Sequence, residues 1–100
     1  MDKYKVLISP RAVRDLDSIY EYIAKEKLSP QNAKGQAERI KQAILKLDTF
    51  PQSHQKRIEG RYAEKGYRQL LIDNYIAIFR INDAENTVTV ITVQYQRRNI

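Results

Sequence analysis

Arg57, Arg61, Lys65, Arg68 and Arg80, with Tyr62 and Tyr67 among them, are the residues of this sequence whose types and clustering could do chemistry. Cations at this density hold phosphates and stabilise the extra negative charge of a phosphodiester in transition, while tyrosines stack on bases or carry a proton. His54 falls in the same stretch, where a general base would sit. In a nuclease reading Arg57, Arg61, Arg68 or Arg80 would bind phosphate, and Tyr67 or His54 would move the proton. The competing reading is a solvated loop and strand edge, because most surface charges have no specific task. Glu59 and Glu64 lie among these cations, and their spacing does not mark them as an acid/base pair. Arg97 and Arg98 are adjacent near the end of the sequence, a pair suited to phosphate, to a carboxylate-rich partner or simply to solubility.

Much other chemistry is excluded. There is no cysteine, so disulfides, thiolate metal sites and thiol nucleophiles are absent, and a lone His54 leaves no histidine pair for a metal or a relay. No phosphate-cradling glycine loop, dinucleotide fingerprint or metal spacing occurs, so neither cofactor nor metal is expected. Eighteen Lys and Arg against 12 Asp and Glu give a net charge of +6, which favours acidic partners: nucleic acid, an acidic protein or an anionic surface. No apolar run approaches the roughly 18 residues of a membrane span, and no signal stretch opens the chain, so a soluble cytoplasmic protein is expected. A length of 100 residues and 42% hydrophobic content predict one folded domain over 1–100.

The elements that must position these residues follow from periodicity. Tyr4, Val6 and Ile8 alternate as a short strand, and Ser9-Pro10 ends it with an N-cap and first-turn pair. Val13, Leu16, Tyr20 and Ile23, widened by Ala12 and Ile19, predict a helix with one buried stripe; Arg14, Asp15, Asp17, Ser18 and Glu21 make its polar face. Ser29-Pro30 repeats the start signal, and Ala33, Ala37, Ile40, Ile44 and Leu47 continue at helical spacing, completing an antiparallel helical hairpin. Residues 52–66 are polar and aperiodic. Three strands then follow, Tyr67–Ile72, Tyr75–Ile81 and Thr87–Tyr95, with turns at Asp73-Asn74 and Asn82–Asn86. The expected fold is α+β, in the order β-α-α-β-β-β, with a small antiparallel sheet on the hairpin.

In the third strand Tyr75, Ala77, Phe79 and Ile81 share one face, and Ile76, Ile78 and Arg80 the other. Both are partly apolar, and the helices can cover only one. The other is expected to seat a protein partner.

Tyr4-Lys5-Val6 before Ser9-Pro10-Arg11-Ala12, then Asp15-Leu16-Asp17-Ser18-Ile19-Tyr20-Glu21-Tyr22-Ile23, resembles the opening of RelE/ParE superfamily toxins. Leu47–Pro51, Tyr67-Arg68, Asp73-Asn74-Tyr75, Phe79-Arg80-Ile81 and the ending Tyr95-Gln96-Arg97-Arg98-Asn99 continue the likeness to the end of the sequence. The resemblance implies the toxin of a bacterial type II toxin–antitoxin pair, neutralised by a cognate antitoxin, the pair binding operator DNA through the antitoxin. It further implies one of two actions. RelE-like members cleave messenger RNA on the ribosome, whereas ParE-like members act on DNA gyrase.

RelE-like nucleases carry an arginine after the third-strand tyrosine, lysines on the preceding strand and an aromatic residue near the carboxyl end. Here Ile76 follows Tyr75, Leu70 and Leu71 stand on the second strand, and no aromatic follows Arg98. An aliphatic side chain cannot stabilise a phosphorane. The resemblance therefore favours the ParE-like branch without catalytic residues, although Gln96 replaces the glycine usual before the arginine pair. A degenerate, non-toxic member that only binds antitoxin is the remaining alternative. Arg68, Arg80, Tyr95, Arg97 and Arg98 are the expected contacts to antitoxin or target, since arginine pairs bidentately with carboxylates.

Overall fold

The computed structural model describes residues 3–26, 29–58, 60–63 and 65–96. Strand β1 (Lys5–Ile8) leads into helix α1 (Pro10–Glu21), which runs on as a π-helical turn over Tyr22–Glu26; helix α2 (Pro30–Leu45) follows. Strands β2 (Arg68–Ile72), β3 (Tyr75–Asn82) and β4 (Thr87–Tyr95) complete the expected order. The sheet order is β1-β4-β3-β2, so the last strand of the chain lies inside the sheet. The β2–β3 and β3–β4 pairs are antiparallel, as expected, but β1 joins β4 in parallel, from Lys5 opposite Thr87 to Ile8 opposite Val90. The sheet is therefore mixed: the helical part ends beside the start of β1, where the Tyr4 amide bonds the Asp48 carbonyl at 2.8 Å, so β2 and then β4 run in the direction of β1, with β3 against them.

Capping decides where α1 begins. The Ser9 Oγ accepts from the Ala12 amide at 3.0 Å and donates to the Ile91 carbonyl at 2.7 Å, tying the start of α1 to β4. Ser29 precedes Pro30 in the same pattern, yet its side chain makes no capping hydrogen bond.

The core lies between the helices and one face of the sheet, where Ala12, Ile40, Ile44 and Leu47 meet Leu70, Ile72, Ala77, Phe79, Val88, Val90 and Val93. The buried stripe of α1 is rotated from the one expected. Val13 and Tyr20 are exposed, while Asp15, assigned to the polar face, turns inward to bond β4.

The second sheet face differs more. Ile76 and Ile78 are buried there by Tyr62, with Tyr67 and Ile91 packed alongside, so the chain covers this part of the face itself. The aperiodic stretch does that work: Gln69 N–H donates to the Gln55 carbonyl and Arg57 N–H to the Tyr67 carbonyl, extending the sheet beyond β2. Gly60 and Gly66, at φ of 74° and 81°, supply left-handed turns within it.

Candidate functional site

Pairing in the sheet separates the basic residues. Arg68 stands opposite Phe79 and therefore shares the core side, while Arg80, the next residue of β3, projects to the opposite face. A bulge near Ile78 and Phe79 makes β4 carry one more residue than β3 at that point, with Ile78 opposite Thr92 and Phe79 opposite Val90.

Arg68 is half-buried and committed. Its Nη1 donates to the His54 backbone carbonyl at 2.7 Å, and the His54 ring lies edge-on against Phe79, with centroids 5.8 Å apart and planes at 88°. Burial, and secondarily the Arg68 charge, lowers the His54 pKa from its ordinary value, so the surroundings favour the neutral imidazole. His54 is thus a packed ring beside a cation.

On the other face, Arg57 Nη1 donates to Gln69 Oε1 at 3.0 Å, and Tyr62 packs edge-to-face with Tyr67 at 5.1 Å. Arg80 is exposed, as is Arg61 in the covering segment. Arg57, Arg80, Tyr62 and Tyr67 are therefore associated with one side of the sheet, and Arg68 and His54 with the other. The candidates for phosphate binding and proton transfer do not converge on one point. At the positions where the resemblance would place cations, Ile76 and Leu70 are buried and Leu71 is a half-exposed leucine.

A second feature escaped sequence reasoning. Between α1, its π-helical turn and the end of β4 lies an open groove of about 700 Å³, lined by Asp15, Tyr22, Ile23, Tyr75, Val93 and Tyr95 among others. Tyr75 and Tyr95, opposite each other in the β3–β4 pair, stack with centroids 5.7 Å apart and planes tilted by 38°. Burial raises the Tyr75 pKa, with the neighbouring Tyr95 and Tyr22 phenols adding to it. At the groove wall, Asp15 Oδ2 accepts from the Thr92 hydroxyl at 2.5 Å and the Val93 amide at 3.1 Å; Gln94 Nε2 donates to Thr92 Oγ at 2.9 Å. The π-helical turn over Tyr22–Glu26 that forms one wall of the groove follows no periodicity in the sequence, so nothing there announces the arrangement.

Of the expected partner contacts, Arg80 and Tyr95 reach solvent and Arg68 is largely engaged. Arg97 and Arg98 lie outside the described residues. Among the described residues no group of acidic, histidine or cysteine side chains could hold a metal, and no helix is long and apolar enough to cross a membrane.

Comparison with known proteins places this architecture. The family described as the ParE toxin of type II toxin–antitoxin systems, parDE, matches residues 6–100. None of the curated proteins matches the chain. Among solved structures, the chromosomal ParDE system of P. aeruginosa superposes with a TM-score of 0.74 at 20% identity, over 93% of this chain and 96% of that one. The RelBE2 toxin–antitoxin complex of Mycobacterium tuberculosis gives 0.62 at 22% identity, over 93% and 98%. A YoeB/ParE toxin of Agrobacterium tumefaciens gives 0.57 at 16% identity, over 91% and 96%. At these identities the superpositions establish the shared fold.

Proposed function

We propose that this chain, which belongs to the ParE toxin family of type II toxin–antitoxin systems, inhibits DNA gyrase by protein contact. The observation that carries this reading is the dispersal of the nuclease candidates. A phosphodiester cleavage site needs cations converging on the developing charge and a group poised to move the proton. Here Arg68 is spent on a backbone carbonyl and His54 is packed on Phe79, while Arg57 and Arg80 belong to the opposite face. Burial of Ile76 and Leu70 supports the same reading.

Solved relatives of this fold include ParDE and RelBE toxin–antitoxin systems, which supports a cognate antitoxin as the neutralising partner. The charge of +6 favours an antitoxin rich in carboxylates, with Arg80 and Tyr95 among the contacts and Arg97 and Arg98 adding to them. In this reading the pair works in the cytoplasm, where gyrase is, and binds its operator DNA through the antitoxin.

The test is supercoiling by purified gyrase with this protein added, alone and with the antitoxin. Lost supercoiling or trapped DNA breaks, reversed by antitoxin, is the expected result. Unaltered supercoiling at large molar excess overturns the gyrase reading. Cleaved messenger in a translation reaction would then favour the ribosome, and normal growth on strong expression would favour a toxin that only binds antitoxin.

A further inference from the structure

Strand β4 changes its neighbour partway along. From Thr87 to Val90 it is flanked by β1, but β1 ends at Ile8, and among the described residues the remainder of β4 pairs with β3 alone. The chain closes part of the exposed edge with its own groups. Ser9 N–H takes the Val90 carbonyl, Ser9 Oγ takes the Ile91 carbonyl, and Asp15 Oδ2 takes the Val93 amide.

Among the described residues this covering stops beyond Val93. Gln96 N–H bonds the Asn74 carbonyl on the β3 side, whereas the Val93 amide points the other way, towards Asp15. Backbone direction alternates along an antiparallel strand, so the Tyr95 N–H points with that of Val93, into the groove. An extended segment entering there would meet a strand edge ready to pair.

The groove's chemistry says what such a segment carries. In a protein of net charge +6, no described lysine or arginine lines it. Its walls instead offer the Tyr22, Tyr75 and Tyr95 rings and the Asp15 carboxylate. Both hydrogen bonds to that carboxylate use Oδ2, which leaves Oδ1 to accept from a ligand. Aromatic faces beside a carboxylate attract a cation, and a planar guanidinium both stacks on rings and donates to carboxylate oxygens. A volume of about 700 Å³ holds several side chains, which suits a peptide segment better than a single amine.

We propose that this groove receives an arginine of an extended partner segment, which pairs with the β4 edge at Tyr95 while its guanidinium lies between the tyrosine rings and Asp15. The partner is the antitoxin of the function proposed above, so the inference deepens that reading without depending on gyrase as the target. Most of the antitoxin surface would be acidic to match this chain, and the arginine would fix its register on the toxin. An acidic segment slid along the edge finds no cation here and meets a carboxylate.

The test uses amide and side-chain NMR of the whole protein, titrated with the acetylated and amidated peptide Val-Thr-Arg-Thr-Val and with its counterpart carrying glutamine for arginine. The arginine peptide is expected to shift the Val93 to Tyr95 amides and the Tyr22 ring, and to half-saturate at a concentration about tenfold lower than the glutamine peptide. Asp15→Asn keeps an oxygen for Thr92 and Val93 but removes the charge, and should abolish that preference; Tyr22→Ala, at an exposed position, should weaken it and serves if the first variant does not fold. Equal responses to the two peptides, or none, overturn the proposal. A double variant, Arg97→Gln with Arg98→Gln, separates the remaining occupant: if only this variant binds the peptide, the chain's own arginines fill the groove, and the proposal of a partner arginine fails. Any of these failures leaves the supercoiling assay to decide the gyrase reading separately.

Discussion

The Arg68 guanidinium donates to the His54 backbone carbonyl at 2.7 Å, across 14 residues of sequence. This contact holds the segment after α2 against the start of β2, and with it the His54 ring on Phe79. A hydrogen bond from a charged donor to a half-buried carbonyl contributes about 1.5–3 kcal/mol. Arg68→Ala is therefore expected to lower unfolding free energy by that amount in urea denaturation, while any inhibition of gyrase by the folded fraction persists. Loss of inhibition with unchanged stability would make Arg68 a target contact instead.

His54 gives the protein a pH dependence whose sign is fixed by its surroundings. Burial and the Arg68 charge lower its folded-state pKa, so the unfolded chain binds the proton more readily. Stability from the neutral ring is fully present above the unfolded value, near about 6.5, and is lost as pH falls towards the lowered folded value. Denaturation at pH 7.5 and pH 5.5 should show the wild type weakening at the lower pH, and His54→Gln should flatten that difference. A slope unchanged by the substitution would assign the dependence to other groups.

Phe79 is the largest fully buried side chain, and it joins the helices, the sheet and His54. Truncation removes packing that the surroundings cannot refill, so Phe79→Ala should cost about 3–5 kcal/mol. Against a typical stability of about 5–15 kcal/mol, a large part of the protein would unfold in mild denaturant. Phe79→Leu retains more volume and should cost much less. The urea midpoints of the two variants check the order.

The order of elements was legible because each is announced locally: Ser9-Pro10 and Ser29-Pro30 start the helices, and alternation marks β3 and β4. What periodicity could not give was rotation and partnership. Asp15 belongs to the polar face by its type, but the edge of β4 needs an acceptor for the Val93 amide, and only a residue turned inward supplies one. The apolar Ile76 and Ile78 looked like a seat for another protein because Tyr62 lies in a stretch with no pattern, and its position over them depends on backbone bonds between residues 55–57 and 67–69. The basic candidates were visible as residue types. Their assignment to different faces rests on the β2–β3 register, which places Arg68 opposite Phe79 and so puts Arg80 on the far side.

The β2–β3 turn carries the last prediction. Asp73 Oδ2 accepts from Arg39 Nε at 2.9 Å and from Gln36 Nε2 at 2.9 Å, linking the turn to α2. These hydrogen bonds, that from Arg39 foremost, hold the Asp73 carboxyl below its ordinary pKa. Asp73 itself sits at a φ of 52°, a left-handed conformation that aspartate tolerates better than most residues. Arg39→Met should therefore raise the Asp73 titration midpoint, read from its carboxyl carbon by NMR, and added salt should raise it in the wild type by screening the pair. Because the pair is exposed, its removal should leave the denaturation midpoint almost unchanged. An Asp73 midpoint that does not move in Arg39→Met would mean that Gln36 and the turn backbone, rather than the ion pair, hold the carboxyl down.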